Sequence, residues 1–201
     1  MTALAFMTTD ADAPARSPMH RLAEKAGAQF ELVDGFEVAT AYANKGDYSR
    51  TVAFADRSQL VKLELNGTPP HPLKPGVAER IEGTWWCPVT PDRTLLLGGP
   101  QARAAAQSTD TKIVDLTSGL AALALIGPMA NELLARFCAI DVRPQTTPVK
   151  GFRPGSVART PGYLLRTREQ ELLILVGAAL GSYLWEVVAD AAEHLGGGPV
   201  A

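Results

Sequence analysis

The chain is poor in the residues from which most reactive sites are built, with two cysteines and three histidines in 201 residues. Cys87 and Cys138 lie far apart in sequence. A disulfide framework or a thiolate metal site needs more ligands at closer spacing, so the expected setting is the reducing cytoplasm. His20, His71 and His194 have no ligand neighbour at metal-binding spacing, which argues against a metal centre. Basic charge is not in excess either. A net charge of -2 lacks the electrostatic footprint of a nucleic-acid binder. No apolar run reaches the length of a membrane span, and the opening MTALAFMTTDADAPAR lacks the basic start of a secretory leader, so a membrane is not an expected partner. A phosphate-cradling loop is missing as well. Gly98-Gly99-Pro100 lacks the required glycine spacing, and the glycines at 196–198 close a helix rather than open one.

What is present is a core. Hydrophobic residues make up 46% of the chain, enough to fill one large domain or two small lobes. The central stretch is IVDLTSGLAALALIGPMANELLARFC, residues 113–138. Ile113 to Leu116 and Leu120 to Ile126 are apolar runs too short for helices, separated by the turn residues Thr117-Ser118-Gly119, and predict strands. Gly127-Pro128 then opens a helix, because proline at a first helical position gives up only an N–H that would be unbonded anyway. Met129, Leu133, Leu134 and Phe137 form the face expected to lie on the sheet.

Upstream, residues 1–16 have no period and read as a mobile tail. Ser17-Pro18 and Gly27 bracket a short helix, and Asp34-Gly35 predicts a hairpin between residues 28–33 and 36–42. Val61, Leu63 and Leu65 alternate with Lys62 and Glu64, the pattern of a half-buried strand. The proline-rich residues 68–82 read as a loop, Thr90-Pro91-Asp92 as the turn of a second hairpin, and residues 101–107 as a helix. Downstream, SVARTPGYLLR predicts a strand interrupted at Pro161-Gly162, followed by the apolar strand Glu171 to Val176. The last helix carries Leu180, Tyr183, Leu184, Val187, Val188, Ala191 and Leu195 inward. The fold class that follows is α+β. Two lobes of antiparallel sheet with packed helices are expected, residues 17–112 and 113–201, the second with split β-α-β (ferredoxin-like) order in which Ile113 to Leu116 supplies a missing final strand.

No residue is singled out as catalytic, but three features carry candidate chemistry. Asp56, followed by Ser58, and Asp115, followed by Thr117 and Ser118, are the candidate acids, although the same pattern commonly stabilises turns. Residues 142–168 hold Arg143, Lys150, Arg153, Arg159, Arg166 and Arg168. This run reads either as a solvated face or as a cradle for a polycarboxylate, with Arg153 and Arg159 as the ligand-binding pair. On the last helix, at ~100° per residue, Leu180, Leu184, Val187 and Ala191 point one way and Trp185 lies about 140° from that direction. It shares a second face with Ala178, Gly181, Ala189 and Ala192. A large aromatic bounded by small residues predicts either a partner interface anchored on Trp185 or its burial beneath another part of the chain.

These segments resemble a known superfamily. SPMHRLAEKAGAQFELVDGFEVATAY followed by YSRTVAFADRSQLVKLELNG resembles the opening of the folate-binding aminomethyltransferases of the glycine cleavage system. TPDRTLLL, VDLTSGLAALALIGPMANELLARFCAIDVRP, FRPGSVARTPGYLLR and YLWEVVADAAEHLG are similar to the gamma subunit of heterotetrameric sarcosine oxidase, a smaller relative. The spacing from Asp115-Leu116-Thr117 to Gly127-Pro128 and the ending Tyr183-Leu184-Trp185 are the most telling. The chain departs from the transferases in lacking their Asn-x-x-Gly-Gly-x-x-Asp-like motif and in having Gln59 where they carry a histidine. At Lys150-Gly151-Phe152 it lacks the cysteine of the branch that maintains iron–sulfur clusters. The resemblance implies the aminomethyltransferase folate-binding fold and a non-catalytic, gamma-like subunit. In that family the complex oxidises an N-methyl amine and passes the carbon to tetrahydrofolate. FAD, FMN and NAD would sit in partner subunits, and tetrahydrofolate is the cofactor to be looked for on this chain. The alternatives are a free-standing folate-binding protein without the transferase aspartate, and a small transferase whose acid is Asp56 or Asp115.

Overall fold

The structure is a computed structural model that describes residues 13–44 and 48–201. Its first half contains β1 (Ala15–Arg16), α1 (His20–Lys25), β2 (Ala28–Val33), β3 (Phe36–Tyr42), β4 (Ala53–Asp56), β5 (Val61–Asn66), β6 (Glu79–Ile81), β7 (Thr84–Thr90), β8 (Arg93–Gly98) and α2 (Gln101–Gln107). The second half contains β9 (Lys112–Asp115), β10 (Leu120–Ile126), α3 (Ala130–Ala135), β11 (Phe152–Val157), β12 (Thr160–Arg168), β13 (Glu171–Gly177), α4 (Gly181–Glu193) and β14 (Gly198–Pro199). Of the expected tail, residues 1–12 lie outside the described residues. Ala15–Arg16 is not tail, since it pairs in parallel with β3.

Strand alternation builds four layers. A six-stranded sheet runs β11-β12-β13-β10-β4-β14 and a five-stranded sheet runs β6-β7-β8-β5-β9. Successive side chains of a strand point to opposite faces, so Leu123 and Leu125 of β10 enter the core beneath α1, α3 and α4 while Ala122 and Ala124 face the second sheet. On β8, Leu95 and Leu97 face the first sheet, whereas Leu96 joins Val61, Leu63 and Leu65 under α2. The order is helices, sheet, sheet, helix. β10 and β13 read as unbroken apolar runs because both of their faces are covered. A third, small sheet, β1-β3-β2, is joined to the first core through α1, Phe30, Ala39 and Tyr42.

The chain changes sheet twice, and in the same way each time. β4 pairs with β10 in the six-stranded sheet, and the next strand, β5, lies in the five-stranded one. β9 pairs with β5 in the five-stranded sheet, and the next strand, β10, lies in the six-stranded one. Each half thus begins with a strand donated to the sheet of the other. The halves are related by an approximate two-fold: β4, β5, β7, β8 and α2 correspond to β9, β10, β12, β13 and α4. The sheets consequently do not divide at residue 112. The strand missing from the second half's split β-α-β order is supplied by Ala53–Asp56, and Lys112–Asp115 completes the other sheet instead.

Several local expectations change for physical reasons. Lys62, expected to point to solvent from a half-buried strand, is fully buried because β5 is covered on both faces. The β11–β12 turn falls at Ala158-Arg159, both left-handed at φ 49° and 61°, and Pro161-Gly162 lies within β12. The closing residues carry no strand pattern, yet they include β14 parallel to β4. Gly127 at φ 123° turns β10 into α3, at a point where a Cβ would lie 2.5 Å from the Thr51 carbonyl oxygen.

Candidate functional site

The two candidate acids occupy equivalent places at the two sheet-to-sheet crossovers. Asp56 Oδ1 accepts the Ser58 N–H at 2.9 Å, and Asp115 Oδ1 accepts the Thr117 N–H at 2.8 Å. The hydroxyls then reach across. Ser58 Oγ accepts the Ala122 N–H at 3.1 Å and Thr117 Oγ1 accepts the Lys62 N–H at 3.1 Å. The backbones repeat the exchange, with the Arg57 N–H donating to Ala122 O and the Leu116 N–H to Lys62 O, both at 2.8 Å. Asp115 also accepts from Arg103 at 2.6 Å. Burial pushes its carboxyl up, but the Thr117 and Arg103 hydrogen bonds outweigh this and hold it below the usual carboxylate range. Both aspartates therefore form turns that start a crossover, which is the turn-stabilising role their sequence pattern allows.

Lys62 breaks the symmetry of this centre. Where the second half has Ala122, the first has Lys62, whose Nζ donates to Ser58 O and Leu60 O at 2.8 Å and to Thr117 O at 2.9 Å. One ammonium thus ties both crossovers together, and all three of its donors are used. Burial lowers its pKa from 10.5 to about 8, with Asp56 and Asp115 acting in the opposite direction.

The basic run of residues 142–168 does not form one surface. Arg143 pairs with Asp141, and Arg168 with Glu171. Arg166 is 1% exposed, its guanidinium fanned among Asn131 Oδ1 and the carbonyls of Val142, Thr147 and Glu169, so that it anchors the loop after α3. Arg153 is half-buried and donates to the carbonyls of Gly76, Phe152 and Thr146. Arg159 stands exposed in the hairpin turn at the far end of β11. The extended chain from Arg153 to Val157, roughly 13 Å long, and then the turn itself lie between the two. The pair expected to hold a ligand is not assembled.

The expected interface face of the last helix is also corrected. Trp185 is 4% exposed and meets Phe54 edge-on, with ring centroids 4.9 Å apart. Gly181 and Ala192 are buried, Ala178 is half-buried, and Ala189 is half-buried against the same core. A helix lying flat on a sheet covers a stripe at least ~100° wide, so Leu184 and Trp185 belong to one buried arc. Tyr183, expected inward, is 43% exposed.

Among the clefts of the described residues, three have distinctive linings. An inter-sheet cleft of ≈ 290 Å³ brings together Arg57, Arg80, Trp85, Gln101 and Glu171, with the Arg80 guanidinium 5.7 Å above the Trp85 ring. A larger cleft of ≈ 710 Å³ is walled by Pro69, Pro70, Pro72, Pro75, Pro88 and Pro91, with His71 against Trp86 at 4.7 Å. A third, of ≈ 660 Å³, lies between the β2–β3 hairpin tip and the end of β9, lined by Val33, Asp34, Arg103 and Asp115. Among the described residues no group of three or more His, Cys, Asp or Glu side chains is placed to hold a metal, and both cysteines are free thiols. No helix among them is long and apolar enough to cross a membrane.

No family model matches the chain. It is similar to the sarcosine oxidase subunit gamma of Corynebacterium sp. (strain P-1), 29% identical over 131 residues, with 62% of this chain aligned. The chain spans 64% of the length of that relative. Among solved structures, a chain of the heterotetrameric sarcosine oxidase from Corynebacterium sp. U-96, in complex with pyrrole 2-carboxylate, matches with a TM-score of 0.69 and 24% identity over 92% of this chain and 98% of that one. The glycine cleavage system aminomethyltransferase T of Bartonella henselae matches with a TM-score of 0.66 and 17% identity over 86% of this chain and 56% of that one. The chain therefore has the α+β fold shared by these two proteins, as the resemblance implied.

Proposed function

We propose that this chain is a non-catalytic, gamma-like subunit of a sarcosine-oxidase-type complex, in which other subunits oxidise an N-methyl amine. The observation that carries the reading is the sequence match to a sarcosine oxidase subunit gamma. The fold supports it, since the likeness extends over almost the whole of the matching oxidase chain. In this reading FAD, FMN and NAD belong to the partner subunits, tetrahydrofolate receives the carbon, and the complex works in the cytoplasm. The chemistry of the centre favours a structural role over the transferase alternative, because Asp56 and Asp115 hold turns and Lys62 spends its donors on backbone carbonyls.

The test is co-expression with the flavin-bearing amine oxidase subunits of the same source. The chain is expected to co-purify with them, and sarcosine turnover is expected only in the assembled sample. Turnover by the partner-free chain above a heat-killed control would make it an enzyme and overturn the reading. Failure of the chain to enter the complex would do the same.

A further inference from the structure

We propose that the proline-walled cleft is a binding site for a small, uncharged ring compound that carries one hydroxyl or carbonyl group. The site lies apart from the crossover centre and does not depend on the subunit reading. It forms where the loop of residues 67–78, between β5 and β6, meets the β7–β8 turn and Pro154 of β11. Its volume is ≈ 710 Å³. Ligand pockets span roughly 300–1,000 Å³ and are mainly apolar, with a few convergent polar groups.

The lining selects the occupant by what it cannot offer. Seven of its fourteen residues are prolines. Proline has no N–H and a fixed φ, so these walls present rigid apolar ring faces and no backbone donors. An extended peptide laid against them would leave regularly spaced carbonyls without partners, at a cost for each. No Lys, Arg, Asp or Glu lines the cleft, so an ionised group would lose its hydration without gaining a countercharge. A compact neutral ring meets neither penalty. The stiffness of the walls also reduces the ordering cost of binding.

Two side chains mark where its polar atom belongs. Thr94 lines the cleft and is 1% exposed, yet its hydroxyl has no hydrogen-bond partner among the described residues. His71 lines the cleft as well and rests edge-on against the Trp86 ring, with centroids 4.7 Å apart. Its Nε2 and the Trp86 Nε1 are both buried without a partner. Buried polar groups are normally bonded, and a bond left unmade costs free energy that a bound partner recovers. A threonine hydroxyl and an imidazole can each donate or accept, so a hydroxyl or carbonyl on the ring suits both. The start of the described chain lies elsewhere: Ala15 shares a cleft with Val61, at the beginning of β5, whereas Thr94 pairs with Leu65 near its end.

The test is titration of the purified full chain with 2-naphthol, followed by calorimetry and by the imidazole proton signals of His20, His71 and His194. One-to-one binding with a Kd below roughly 1 mM is expected, and only the His71 signals should move. 2-Naphthoate, the same ring with a charge, is expected to bind more weakly by about tenfold or more. Thr94→Val and His71→Phe remove a polar group while keeping much of the shape of the wall. Each is expected to lower affinity for 2-naphthol about fivefold and to leave that for 2-methylnaphthalene unchanged. Thr68→Trp, at an exposed position on the cleft, is expected to abolish binding of both compounds while the melting temperature stays at the wild-type value. No binding by the wild type, movement of the His20 or His194 signals in place of His71, equal affinity for 2-naphthoate, or full affinity in Thr68→Trp would each overturn the proposal. Much tighter binding by a chain lacking residues 1–12, or loss of binding on assembly with the oxidase subunits, would show that the chain's own start or a partner fills the cleft, and would overturn it too. Failure to assemble bears on the subunit reading alone.

Discussion

At the scale of single residues, the fold is organised by two buried cations. Lys62 binds the crossovers to one another, and Arg166 binds the loop after α3 to β12. Both donate to neutral carbonyls and touch no carboxylate, and burial lowers the pKa of each, for Lys62 against the opposing pull of Asp56 and Asp115. For Lys62 this has a consequence for stability against pH. Below about 8 the side chain is charged in both states, and above 10.5 it is neutral in both. Between those values the unfolded chain binds more protons than the folded one, so stability rises with pH. The Cys87 thiol and the Tyr42 phenol, pushed up by burial from 9.0 and 10.0, contribute the opposite slope at higher pH. From pH 8 to 9 the melting temperature of the wild type is therefore expected to climb relative to that of Lys62→Met. Parallel profiles for the two proteins over that interval would show that the ammonium is not held where its three carbonyl contacts place it.

At the scale of elements, hairpins and helix ends were readable because they depend on local chemistry. Asp34 and Gly35 adopt φ of 51° and 80°, the two positive values that their dipeptide predicts, and Gly27 at 84° ends α1. β6 was missed because its three residues lie in a proline-rich stretch with no alternation. β14 was missed because two residues carry no period at all, and only the waiting edge of β4 makes them a strand. The last helix shows the limit of periodicity most clearly. Its apolar residues were read as two directions, whereas the sheet beneath it is wide enough to bury both. Trp185→Ala is accordingly expected to cost about 3–5 kcal/mol, measured by urea denaturation of the isolated chain. Tyr183→Ala, on the opposite face, is expected to stay within about 0.5 kcal/mol of wild type. A small loss at Trp185 would place its ring outside the core.

At the scale of the whole molecule, strand exchange makes the two halves interdependent. β4 cannot leave the six-stranded sheet without pulling on the crossover that Lys62 and Ser58 tie to Thr117 and Ala122, and β9 stands in the reciprocal position. The chain is therefore expected to unfold in one calorimetric transition, with calorimetric and van't Hoff enthalpies equal. Two resolved transitions would show that the halves fold as separate lobes on either side of residue 112. The same interlocking explains how much of the candidate site was legible. Asp56 and Asp115 stood out in the sequence as a repeated Asp-x-Ser/Thr pattern, but their meaning as matched turns required the partner hydroxyls and carbonyls from the other half. Arg153 and Arg159 look like a pair because charge is counted along the chain, while Arg153 lies near the start of β11 and Arg159 in the turn beyond its other end.

The sequence by itself determined the local grammar: the apolar strands β10 and β13, the helix boundaries at Gly27 and Pro128, the Asp34-Gly35 turn, and the α+β class. Each of these is set by interactions within a few residues, by side-chain period and backbone sterics. Only the tertiary structure decided which sheet each strand joins, that Lys62 and Arg166 are interior, that Trp185 is covered, and that β4 has β14 beside it. These depend on contacts between residues as far apart as Thr51 and Gly196, or Lys62 and Thr117, which no local period encodes.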